Sequence, residues 1–201
     1  MKLYIKNMVC DRCIMAVAQA ISESGLTSVE VSLGISTIEG EPEREQIHTL
    51  QKQLHSLGFE LIEDKKHQVI EQIKAAVIRL VQKDFLNDLG HINTSDYLKK
   101  ETGYDYSYIS TLFSSSEGIT IEKYIILQKT ERIKELLSYG EYNLSQIADK
   151  MGYSSVHALS NQFKKITGLS PSDYKSNSLE LRKPLDKIID NSLNSKRSSK
   201  K

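Results

Sequence analysis

Two groups of residues in this 201-residue chain are of a type and spacing that could do chemistry. The first is a pair of thiols. Cys10 and Cys13 are the only cysteines and stand as C-x-x-C. Two thiols at i and i+3, one in a loop and one at a helix start, can converge on one ion. A helix dipole and the adjacent Arg12 would favour thiolates there. Two soft sulfurs suit a low-coordinate soft cation such as Cu(I). Zn(II) takes four ligands, and this stretch offers two cysteines with Asp11 as a candidate third. A second protein or a second copy of the chain would have to complete a zinc set. The same pair could instead close as a reversible disulfide, or lie inert in a protein-interaction module.

The second group is a polar helical face near the other end. His157, Ser160, Asn161 and Lys164 recur at helical spacing, with Ser155 at the helix start. Leu159, Phe163 and Ile166 form the opposite, inward side. Short donors and acceptors edged with positive charge suit a helix laid in a DNA major groove. There small side chains meet base edges, and Lys or helix N-termini hold phosphates.

The elements that must position this face are legible from Asn143 to Lys175. Asn143 is a good N-cap, and Leu144, Ile147, Ala148 and Met151 make one apolar stripe. Gly152-Tyr153 breaks it, Ser154 or Ser155 can cap the next helix, and Thr167-Gly168 closes that helix. Ser170-Pro171-Ser172-Asp173 reads as cap, first-turn proline and third-position acid. An internal repeat precedes this unit. Gly103-Tyr104 lies 49 residues before Gly152-Tyr153, and Phe113, Gly118, Thr120 and Tyr124 lie 50 before Phe163, Gly168, Ser170 and Tyr174. Residues 93–125 are therefore expected to form a similar unit, with Asn93 or Thr94 capping its first helix and Asp105 its second. Its outward positions are Ser107, Ser110, Thr111 and Ser114, flanked by Tyr106 and Tyr108. A long helix from Ile121 to Ser138 would join the two units through Ile125, Ile126, Ile133, Leu136 and Leu137.

The order of helix, Gly-aromatic turn, helix ending in Phe, then Gly, Ser-Pro and Tyr resembles the helix-turn-helix of AraC/XylS-type transcription regulators. The resemblance implies an all-α double helix-turn-helix that addresses two successive major-groove segments about one helical turn apart. It implies double-stranded promoter DNA as partner.

The front of the chain reads differently. Lys2 to Lys6 alternates as a strand, and Asn7 to Cys13 is a loop. A helix follows to about Ser24, burying Ile14, Val17, Ala20 and Ile21. Val29, Val31 and Leu33 alternate, a turn and short strand span Gly34 to Gly40, a helix runs from Glu43 to Leu57, and a last strand covers Phe59 to Ile62. This α+β order, βαββαβ, is the ferredoxin-like plan. With Met8-x-Cys10-x-x-Cys13 in the first loop and Gly58-Phe59 before the last strand, residues 1–65 resemble a heavy-metal-associated domain. That resemblance implies that Met8 packs inward and that Phe59 covers the site. His48 and His55 share a helical face and read as solvated. His67 and His91 have no partner pattern.

Composition supports two modules. Residues 1–65 carry a net charge of −4 and the remainder a net of +5, which puts the nucleic-acid surface in the second. The expected limits are 1–65, 66–178 and a basic, disordered tail at 179–201, ending in Lys196-Arg197 and Lys200-Lys201. Asp64 to His67 is a short polar joint. A helix from Val69 to Phe85 follows, with Ile70, Ile73, Val77, Leu80 and Val81 on one face. No run is long and apolar enough to span a bilayer and no leader segment is present, so a cytosolic place is expected. In such a place a lone C-x-x-C points to metal or redox chemistry rather than a structural disulfide. No nucleophile–base grouping suggests an enzyme. The expectation is a DNA-binding regulator responsive to a soft metal ion at Cys10 and Cys13, acting alone or as a metal-bridged or helix-mediated dimer. The alternatives are a regulator with a thiol switch or interaction module in front, and a metallochaperone with an adaptor behind.

Overall fold

The computed structural model describes residues 1–86 and 93–176. His91 and the tail expected at 179–201 lie outside the described residues. The described chain runs β1 (Lys2–Lys6), α1 (Asp11–Glu23), β2 (Ser28–Ser32), β3 (Ile35–Ile38), α2 (Arg44–Ser56), β4 (Glu60–Ile62), α3 (Lys65–Leu86), α4 (Thr94–Thr102), α5 (Tyr106–Glu117), α6 (Ile121–Tyr139), α7 (Leu144–Lys150), α8 (Val156–Thr167) and α9 (Pro171–Ser176). The described residues fall into two compact units. One comprises Met1–Ala76 with Leu98–Leu112, and the other the described parts of Val77–Tyr97 and Phe113–Lys201. The division between them falls inside α3.

In the first unit, four strands form one antiparallel sheet in the order β2-β3-β1-β4. With βαββαβ order along the chain, this arrangement is compatible with the ferredoxin-like plan. α1 and α2 pack on each other, α1 on β2 and α2 on β4. Leu3, Ile5, Val17, Ala20, Ile21, Ile38, Leu50 and Leu54 are buried between these layers, and Ile14 is half-buried. The alternation expected of β2 is interrupted. A register shift lies between Ser28 and Glu30, and Val29 beside it is exposed. An extra residue in an edge strand breaks the two-residue period.

The polar joint at 64–67 is the start of a helix. The Asp64 carboxylate accepts from the His67 backbone N–H at 3.0 Å and lies 2.9 Å from the His67 ring. That backbone hydrogen bond is the largest cause holding Asp64 below the usual carboxylate range, with the ring contact second. α3 is apolar on more than the one face expected. Ala75 and Ile78 are buried along with Ile70, Ile73, Val77, Leu80 and Val81. The Glu71 carboxylate among them accepts from Lys74 at 2.9 Å. Ala75 meets the sheet at Gly34, where a β-carbon would stand 3.5 Å from the alanine methyl.

In the second unit, α6 is wrapped on several sides. Tyr124, Leu127, Gln128, Thr130, Ile133, Lys134, Leu136 and Leu137 are all buried, whereas Ile125 and Ile126 are half-buried. A helix packed by α7, α8 and α9 has no single inward stripe, and of the residues read as joining the two repeats Ile133, Leu136 and Leu137 are the buried ones. Several helix starts are closed locally. Thr120 accepts from the Lys123 N–H, and Asn143 and Gln146 form a reciprocal capping box. Ser170 accepts from the Asp173 N–H and donates to its carboxylate.

Candidate nucleic-acid interface and thiol pair

The repeat read from spacing reappears as matched aromatic contacts. Phe113 meets Tyr124 with ring centroids 5.5 Å apart, and Phe163 meets Tyr174 at 5.6 Å, edge to face. Both turn glycines, Gly103 and Gly152, have positive φ near +70°, where a side chain would be strained. So each repeat is helix, left-handed turn, helix, with a buried Phe locking the second helix to a following Tyr.

α8 starts at Ser155, whose hydroxyl accepts from the Ala158 N–H at 3.1 Å. Ser155, rather than Ser154, is therefore the cap, and its hydroxyl is engaged at the helix start. Leu159 and Phe163 are buried, while Ile166, expected inward, is half-buried. His157, Asn161 and Lys164 are exposed, and Ser160 is half-buried between them and the core side. The Asn161 amide lies 2.9 Å from His157 Nε2. With the amide N–H donating, a neutral His157 carries its ring proton on Nδ1. The two side chains form one hydrogen-bonded unit, a turn apart on α8. Sequence spacing put them on one face but could not show that they bond.

α5 carries the corresponding face in plainer form. Ser107 and Thr111 are exposed, and Ser110 and Ser114 are half-buried. Thr111 spends its hydroxyl on the Ser107 carbonyl at 2.9 Å, which reduces what it can offer outward. Asp105 was expected as a side-chain cap. Its carbonyl starts α5, accepting from the Ile109 N–H. Its carboxylate accepts from Lys99 at 2.6 Å, and that contact holds it below the usual carboxylate range. Asn93, rather than Thr94, caps α4, its side chain accepting from Ser95 N at 3.1 Å.

A further residue of consequence escaped the sequence reading. Lys129 Nζ donates to the Met151 carbonyl at 3.0 Å, at the end of α7 and beside Gly152. It braces the turn that sets the angle between α7 and α8. A lysine 22 residues away from its target gives no periodic signal.

A model of the helix-turn-helix domain matches residues 98–177. Over those residues the chain is similar to helix-turn-helix domains. Curated relatives share this part. The uncharacterised HTH-type transcriptional regulator YtdP of Bacillus subtilis is 24% identical over 105 residues, covering 52% of this chain and 13% of YtdP. The probable transcriptional regulator LumQ of Photobacterium leiognathi is 33% identical over 69 residues, covering 34% of this chain and 28% of LumQ. An HTH-type regulator of Staphylococcus aureus is 28% identical over 129 residues, covering 64% of this chain and 16% of the relative. The chain thus spans well under a third of the length of these relatives. Among solved structures, the C-terminal domain of AraT, a response regulator from Geobacillus stearothermophilus, is 24% identical with a TM-score of 0.43, covering 54% of this chain and 84% of that one. The DNA-binding domain of AdpA, solved with a target DNA, is 20% identical with a TM-score of 0.41, covering 51% and 91%. The matched helix-turn-helix region begins within α4, so the sheet and the thiol pair precede it in the chain.

The thiol pair sits at the start of α1. Helix begins at Asp11, earlier than the loop reading allowed, which makes Cys10 the N-cap residue and sets Cys13 in the first turn. The two sulfurs are 3.4 Å apart and both residues are half-buried. Burial is the largest cause pushing the Cys13 thiol above its ordinary value, outweighing the backbone hydrogen bonding that lowers it. The expected gain for the thiolate from the helix start and Arg12 therefore does not prevail at Cys13. Arg12 is itself exposed, where water screens its charge. Met8 is buried, as its inward reading required, and Phe59 is buried too. The loop is pinned by Asn7, which takes a left-handed backbone and donates its amide to the Gly58 carbonyl at 3.0 Å. His48 and His55 are exposed. Among the described residues, no group of three or more His, Cys, Asp or Glu side chains is placed to hold a metal ion. Two sulfurs sharing an ion at ~2.3 Å would stand about 3.8 Å apart in tetrahedral geometry and about 4.6 Å apart in linear geometry. The pair offers two sulfurs 3.4 Å apart and, among the described residues, no closed four-ligand set. Among the described residues, no helix is long and apolar enough to cross a membrane.

Proposed function

We propose that the chain is a sequence-specific DNA-binding transcription regulator whose front module takes a soft metal ion, Cu(I) first, at Cys10 and Cys13. The observation that carries the DNA reading is the exposed His157–Asn161 unit with Lys164 on a capped helix of the AraC-type domain. A bidentate amide such as Asn161 suits an adenine edge, and Lys164 suits a phosphate. Ser155, Ser160, Ser107, Ser110 and Thr111 complete the DNA-facing set at lower weight, because several are half-buried or bonded within the chain. The named function of the relatives, transcription regulation, supports this reading. Asn161→Ala is expected to weaken binding to a selected duplex by roughly 1–3 kcal/mol and to leave binding to random DNA nearly unchanged. Equal losses on both duplexes, in an anisotropy titration, would reduce Asn161 to a backbone contact.

The metal reading rests on the close thiol pair at a helix start. Cys10 and Cys13 would hold a soft cation as thiolates, so that binding would release their protons. An effector changes DNA affinity only if it prefers one arrangement of the protein over another. The Asn7–Gly58 bond ties the thiol loop to the turn before β4, which gives such a preference a structural route within this module. Cu(I), and separately Zn(II), titrated into reduced protein tests the reading. Wild type is expected to take up about one Cu(I) per chain or per bridged pair of chains and to change its DNA affinity on doing so. The double variant Cys10→Ser/Cys13→Ser is expected to do neither, and a response equal to wild type would sink metal sensing. The 3.4 Å separation also favours a second reading, a reversible disulfide. Loss of two mass units with a shift in DNA affinity in metal-free oxidised protein would support that reading instead.

A further inference from the structure

The two repeats differ most where the turn meets the second helix. In the second repeat, Tyr153 follows the turn glycine and is half-buried, its hydroxyl pushed up to about 12 by that burial. Three residues into α8 stands the small Ala158. In the first repeat, Tyr104 follows the turn glycine, and Tyr108 stands where Ala158 stands in the second. Tyr104 is 44% exposed and Tyr108 46% exposed, and their rings stack on each other, centroids 5.3 Å apart and tilted by 37°. The fold of the repeat does not require this pair, since the second repeat does without it. An aromatic pair held in water forgoes the apolar burial that Tyr153 obtains in part.

The pair sits at the N-terminal end of α5, the end of a reading helix that meets base edges. Ser107 and Thr111 are exposed in the same turns of α5, and Ser107, Ser110, Thr111 and Ser114 include no cation. An apolar plate on such a helix, with no charge to spend on phosphates, has one matching group in the major groove, the C5-methyl of thymine. We propose that Tyr104 and Tyr108 form a thymine-methyl contact surface, so that the first repeat reads its segment of DNA by apolar contact while the second reads by hydrogen bonds. This rests on the DNA-binding reading above.

The test replaces thymine by deoxyuridine, which removes the methyl and keeps every Watson–Crick and groove hydrogen bond. A duplex is first selected from a random library with the full chain. Each thymine is then replaced in turn and affinity measured by anisotropy. Wild type is expected to lose roughly fourfold for each contacted methyl, the effect of leaving one methyl group unburied. Tyr108→Ala, the residue that the second repeat carries at this position, is expected to keep the fold by thermal melt and to lose that sensitivity. Tyr108→Phe is expected to retain it, because the contact is made by the ring. Wild-type indifference to deoxyuridine at every position overturns the proposal, as does unchanged sensitivity in a folded Tyr108→Ala protein. A Tyr108→Ala variant that binds DNA as wild type does, methyl effect included, but fails to activate or repress transcription would assign the pair to a protein partner and likewise overturn it. If no duplex is selected at all, the DNA-binding reading fails, a result separate from a selected duplex with no methyl effect.

Discussion

Phe163→Ala is expected to lower stability by roughly 3–5 kcal/mol, the range for emptying a buried phenylalanine site. Phe163 is 1% exposed and packs edge to face on Tyr174, which is itself buried. Such a ring pair adds about 0.5–1.5 kcal/mol beyond the area it removes from water. The substitution unseats α8 from α9 as well as opening a cavity, so collapse of the walls offers little relief. Denaturant unfolding monitored in the far ultraviolet should show the midpoint fall with little change in slope. A loss below about 1 kcal/mol would mean that α8 is held chiefly by its caps and by Leu159. Phe113→Ala, at the matching position against Tyr124, is expected to cost a similar amount, because the contact distance is nearly the same.

The second large effect is expected from a charge pair. Lys134 Nζ lies 2.6 Å from the Glu131 carboxylate, and the two side chains are 9% and 11% exposed. The ammonium also stands 5.8 Å from the centre of the Tyr174 ring. Glu131→Ala leaves that ammonium enclosed against the Tyr174 ring. Stranding one member of a buried ion pair costs about 3–5 kcal/mol, and the residual exposure here points to the lower end, about 3 kcal/mol. The paired replacement Glu131→Leu/Lys134→Met removes both charges and is expected to lie within about 1 kcal/mol of wild type. The four proteins of this cycle give the coupling directly. A single variant as stable as the double one would show that Lys134 swings out to water and that the pair is not a closed unit.

Local signals carried much of the fold. Asn143 with Gln146, Thr120, Ser155 and Ser170 cap helices because short oxygen-bearing side chains satisfy free backbone N–H groups. That requirement is readable within four residues. Turn glycines and the 50-residue spacing of Phe and Tyr are equally local or periodic. The interior of the second unit was less legible. Lys134, Gln128 and Thr130 are buried and Glu131 is half-buried, yet polar residues at helical spacing read as a wet face. Only tertiary partners distinguish the two cases. At the thiol pair the spacing was sufficient to place both sulfurs together. It could not weigh burial against the helix start, since that balance depends on how deeply the first turn sits. The His157–Asn161 bond and the Lys129 brace were hidden for a related reason. Side-chain conformation decides the first, and a contact across 22 residues decides the second.

The unequal repeats have a consequence for how such a protein would meet a gene. One unit carries an imidazole, an amide and a lysine, and the other carries tyrosines and hydroxyls. A chain built this way has a head and a tail. Its preferred sequence would be a string of two unlike words rather than a palindrome, and turning that string around would present each word to the wrong reader. A single copy would then lie on a promoter in one direction only.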